Sequence, residues 1–141
     1  MLHDNFQMTG HLSIAINDAV VQEVRNLVVT DGKEFVASRM KDTTKAAMSH
    51  MAIGTGSTAA AAGDAALGSQ ADRNALTSTT VSGAAVTYVA TFAAGEGTGA
   101  ITEAGLFNAA SAGDMLCRTV FAVVNKGSSD SMTITWTVTV S

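Results

Sequence analysis

No proline occurs in the 141 residues, although average usage of about 5% would supply several. No strand edge is then blocked by a residue that cannot donate to a ladder, so edges are expected to be paired, covered or used in assembly. Charge is scarce as well: Asp, Glu, Lys and Arg make up 14% of the chain, against about 25% in an ordinary soluble domain. Much of the surface must therefore be Ala, Gly, Ser and Thr, which suits lasting contact with neighbours. The few charges lean negative, with a formal net charge of −4 and a pI near 5.1. Clustered Lys and Arg that would neutralise phosphates are absent, which argues against nucleic acid as a partner. Cys117 is the only cysteine, so no intrachain disulfide can form and the chain can mature in a reducing cytoplasm. No window offers the ~18 apolar residues of a membrane span. The first ten residues also lack the basic and apolar regions of a secretion signal, so neither a membrane partner nor the usual export route is expected.

What the chain does have is β periodicity, clearest over residues 131–141. There Met132, Ile134, Trp136, Val138 and Val140 alternate with Thr133, Thr135, Thr137, Thr139 and Ser141, the period of two that a strand imposes. Trp136, the only tryptophan, is expected in the core, where a large ring buries most area. The length fits one domain covering residues 1–141. The expected fold is mainly β: a single-domain antiparallel β-sandwich or jelly-roll-like barrel with one short helix and a long Gly/Ala-rich loop.

Taken in order, residues 3–10 read as a polar arm that buries little. Residues 12–16 and 20–29 read as a hairpin around Asn17-Asp18, a pair that tolerates positive φ. Asp31 with Glu34 resembles a capping box and predicts a helix over 32–41, and residues 50–54 form an apolar run expected to be a buried strand. Residues 54–74, punctuated by Gly54, Gly56, Gly63 and Gly68, are expected to be a long surface loop of the kind that carries contacts. Strands over 76–81 and 85–93 with a turn at Ser82-Gly83 make a second hairpin, and 101–108 and 115–124 are two further strands. The tract 125–130 is expected to close a third hairpin into the terminal strand.

Catalytic signals are missing. Gly54-Thr55-Gly56-Ser57-Thr58 has the look of a phosphate loop but lacks the following Lys. His3, His11 and His50 show no ligand spacing. Glu96 lies in a glycine-rich turn, where a solvated carboxylate is expected, and no nucleophile elbow is present. The expectation is a non-enzyme with no cofactor, no metal and a buried, inert Cys117. Glu103 stands in an apolar strand and needs a cation if buried. Arg73 and Arg118 are the candidates, Arg73 being favoured because it would tether the loop exit to the core; a solvent-facing Glu103 is the alternative.

The stretches NLVVTDGKEFVASRM (26–40), MAIGTGSTAAAAGDAALGSQADR (51–73) and ITEAGLFNAASAGDMLCRTVF (101–121) together resemble a module of tailed-bacteriophage virion proteins. That group includes capsid cement or decoration proteins as well as tail-fibre and baseplate components. The resemblance implies a structural protein present in many symmetric copies. Two features of the sequence itself favour a cement protein within that group: the chain stops directly after its β-module, and its acidity suits the outside of a shell. The implied partners are the major capsid protein and the chain itself, as a homodimer or homotrimer, located on the outer capsid surface of the virion. Candidate contact residues are His3, Asp4, Asn5, Phe6 and Gln7 of the arm and Thr55, Ser57, Thr58 and Asp64 of the loop. A tail, collar or baseplate subunit is the alternative, and a carbohydrate-binding host-attachment module the weaker one.

Overall fold

The structure is a computed structural model and describes residues 6–41 and 45–141. Strands β1 (Met8–Ile16), β2 (Ala19–Arg25) and β3 (Leu27–Val28) lead into helix α1 (Thr30–Arg39). Then follow β4 (His50–Gly54), β5 (Gln70–Ala75), β6 (Ser78–Ser82), β7 (Ala85–Phe92), β8 (Gly99–Phe107), β9 (Met115–Lys126) and β10 (Met132–Val140). They form two five-stranded sheets, β2-β1-β10-β7-β6 and β3-β9-β8-β4-β5, with every pairing antiparallel. The sheets face each other as a sandwich. Leu12, Ile14, Ile134 and Trp136 of the first sheet and Met51, Ile53, Ile101 and Leu106 of the second share one buried cluster.

The terminal strand is the spine of its sheet, paired to β1 on one side and β7 on the other. Its apolar face lies inward, with Met132, Ile134 and Trp136 fully buried. On the other face threonine hydroxyls make rungs to β7, Thr87 to Thr137 at 3.3 Å and Thr91 to Thr133 at 3.0 Å. The β1–β2 turn falls where expected: Asn17 and Asp18 both have positive φ, 49° and 69°, the backbone of a two-residue hairpin whose twist matches its strands.

Four expectations are corrected. The polar arm ends sooner, because from Met8 the chain is already β1, with Gly10 buried and Met8 packed on the core. The helix begins at Thr30, and its N-cap is Val29 with no side-chain cap bond, so Asp31 lies in the first turn. The helix is placed by packing instead: a Cβ on Gly32 would fall 2.0 Å from the Leu116 carbonyl oxygen of β9. The long loop spans only residues 55–69, since Gln70–Ala75 pairs with β4; its polar side chains hid that strand. Finally, β9 and β10 are no hairpin, because they belong to different sheets and residues 127–131 step between them. Lys126, 1% exposed, holds that step by donating to the carbonyls of Ala93 and Asp130 at 2.8 and 2.7 Å.

Candidate functional site

Residues 55–69 fold back over the outer face of the second sheet. Leu67 packs there on Val29, Ala52, Phe107 and Met115, a small apolar cluster separate from the sandwich core. Beside it Glu103, fully buried, points out of the sheet into the loop. Its Oε2 accepts from the amides of Gly56 and Ser69, both at 2.7 Å, and its Oε1 from the amide of Gly68 at 2.8 Å. Arg118, 2% exposed, donates to Oε1 from Nη2 at 2.9 Å and Nε at 3.2 Å. It also reaches into the loop, to the Thr58 carbonyl at 3.0 Å and Asp64 Oδ2 at 2.8 Å. Asp64 in turn accepts from the Ala61 amide at 2.9 Å, and the Ala62 carbonyl accepts from Thr30 at the start of α1.

This arrangement is a backbone anion nest, and the anion is the protein's own carboxylate. The Gly54-Thr55-Gly56 signal is thereby explained: a Cβ on Gly56 would fall 2.3 Å from Glu103 Oε2, and one on Gly54 2.3 Å from the Ser69 carbonyl. Burial alone would push the Glu103 carboxyl up. The Ser69, Gly68 and Gly56 amides and the Arg118 guanidinium outweigh that and hold it below its ordinary value. The Asp64 carboxyl is lowered as well, first by the Ala61 amide and then by Arg118.

The ion pair expected between Glu103 and Arg73 is not made. Strand order explains it: Arg73, Ala52, Gly105 and Arg118 form one row across the outer face, with Arg118 on the strand next to Glu103 and Arg73 two strands away on β5. The Arg73 guanidinium lies 3.7 Å from the centre of the Phe107 ring and donates to Gln70 Oε1 and to the carbonyls of Ala109 and Ala112. It ties β5 to the β8–β9 turn.

Of the candidate contact residues, Thr55, Ser57 and Thr58 are exposed on the loop, while Asp64 is half-buried and engaged with Arg118. Phe6 is 63% exposed, and Gln7 exchanges backbone bonds with Ser141. His3, Asp4 and Asn5 lie outside the described residues. Glu96, expected to be solvated, is half-buried and accepts from the Ala93 amide and Asn74 Nδ2. Cys117 is buried, and burial pushes its thiol well up. Among the described residues no group of three or more His, Cys, Asp or Glu is placed to hold a metal, and no helix is long and apolar enough to cross a membrane. No protein-family model matches the chain, and neither the curated proteins nor the solved structures contain a match.

Proposed function

We propose that the chain is a non-enzymatic virion structural protein of tailed phages, a capsid cement or decoration protein that binds the outside of the shell and clamps adjacent major capsid subunits. The observation that carries this reading is the docked loop. Glu103 and Arg118 hold residues 55–69 from beneath, so the exposed Ser57, Thr58, Ala59, Ala61 and Ala62 form a small-residue, uncharged surface fixed in place. A surface already ordered before binding loses less entropy on contact than a floppy one. Low charge and a proline-free chain also suit a subunit whose surfaces are covered by neighbours. The carbohydrate-binding reading is disfavoured, because Trp136 and Tyr88 are core residues and the exposed large aromatic among the described residues is Phe6 alone. Copy number in purified virions, by quantitative mass spectrometry, tests the proposal. Hundreds of copies per particle support a shell protein, a handful assign it to the tail, collar or baseplate, and absence from the particle rejects both.

A further inference from the structure

The hairpin of β1 and β2 does not stay paired to its open end. β1 is matched to β10 along its whole length, from Met8↔Val140 to Ile16↔Met132, but to β2 only from His11 onward. After Arg25 the chain turns at Asn26 and crosses to the other sheet as β3. The last link is the Asn26 amide donating to the Gly10 carbonyl at 3.0 Å. In an antiparallel ladder the N–H and C=O of one residue face the same neighbour, and successive residues alternate sides. Gln7 exchanges both of its groups with Ser141, past the end of β10. Met8 therefore turns its N–H and C=O the other way, to the side that β2 has left.

That margin of β1 is one wall of a groove of about 680 Å³ lined by Met8, Gly10, Val24, Arg25, Asn26 and Lys33, among others. Arg25 and Lys33 are exposed, and neither has a carboxylate within salt-bridge distance among the described residues. Among the described residues Glu23 is the one acidic residue of the lining, so the described lining is positive on a chain of net charge −4. The Asn26 amide is oriented by Trp136, whose indole N–H, a donor only, gives its proton to Asn26 Oδ1 at 2.6 Å. That leaves Asn26 Nδ2 as a buried donor with no acceptor among the described residues.

We infer that this groove takes an extended acidic peptide segment of a partner protein, added as a strand at the Met8 end of β1, beyond the Gly10–Asn26 link. Strand addition draws affinity from main-chain bonds and specificity from the side chains alongside. The N–H and C=O of Met8, unpaired among the described residues, supply the first, and Arg25 and Lys33 select carboxylates for the second. The inference rests on the proposed function only in taking the partner to be a protein.

The test uses the full chain in solution, with Trp136, bonded to Asn26, as the reporter. The probe is a capped pentapeptide of sequence Thr-Glu-Val-Glu-Thr, titrated against the emission of this single tryptophan. A saturable change is expected, weakened at least about ten-fold when lysine replaces both glutamates or when alternate backbone amides are N-methylated. Lys33→Glu and Arg25→Glu, both at exposed positions and checked for unchanged melting, are expected to weaken it to a similar degree. Equal binding of the acidic and basic peptides, indifference to N-methylation, or no saturation at millimolar peptide overturns the inference. Peptide binding and virion copy number are read in separate experiments, so either can fail while the other stands.

Discussion

Glu103 and Arg118 meet beneath the loop at 2.9 Å, with the carboxylate fully buried and the guanidinium 2% exposed. Removing one partner strands the other without solvent. Glu103→Ala is therefore expected to cost roughly 3–5 kcal/mol in denaturant melts. Arg118→Ala should do comparable damage, and the double mutant should lose clearly less than the sum. Arg73→Ala should add to Glu103→Ala independently, because Arg73 bonds elsewhere; coupling between those two would contradict the assignment.

The same knot sets an acid limit. The carboxyls of Glu103 and Asp64 are both held below their ordinary values, 4.5 and 3.8. A depressed carboxyl contributes stability that is present above its unfolded value and lost as pH falls through its folded one. The melting temperature is expected to hold from neutrality down to about pH 5 and to fall increasingly below that. Glu103→Gln should start lower and fall less steeply. Parallel curves for the two proteins would show that the carboxylate is not the source.

Gly56 is needed for close approach, whereas Gly63 has nothing within 4 Å of where a Cβ would stand. Gly56→Ala must push the loop off Glu103 and is expected to cost about 1–3 kcal/mol, the penalty of leaving that acceptor short of a partner. Gly63→Ala should change stability by no more than about 0.5 kcal/mol. Hydrogen exchange of the Gly68 and Ser69 amides should quicken in the first variant only; equal protection in both would refute the steric account.

Phe6 and the start of β1 separate contact from folding. Phe6→Ala is expected to leave melting unchanged, since the ring is largely exposed, and to lower occupancy on virions if the arm is a contact. Deleting residues 1–10 removes the Met8–Gly10 ladder with β10 and should lower the melting temperature as well. A deletion that melts like the intact chain would show that this ladder adds little.

Strand β6, with sequence STTVS, is an edge whose residues are all exposed and uncharged. Nothing in its sequence opposes pairing with a second copy. Sedimentation is expected to show a dimer or trimer, and Thr80→Lys to shift it to monomer. A wild-type monomer at assembly concentrations would count against self-association through any edge.

The alternation of residues 131–141 was enough to determine a strand with Trp136 inside, and Asn17-Asp18 was enough for a positive-φ hairpin turn. Both are local, because side-chain period and turn conformation depend on near neighbours. Which sheet a strand joins is not local. The tract at 127–131 has the composition of a hairpin turn, yet it bridges two sheets, because β10 takes its backbone partners from β1 and β7 rather than from β9. β5 is not legible in the sequence because its polar residues reach partners distant along the chain, Asn74 with Glu96 and Arg73 with the Phe107 ring. The sequence also determined that a buried Glu103 needs a cation, and it narrowed the choice to two arginines. Only the sheet order decided for Arg118: both arginines lie on the outer face, but Arg118 is on β9, the strand beside Glu103, whereas Arg73 is two strands away on β5, where it covers the Phe107 ring.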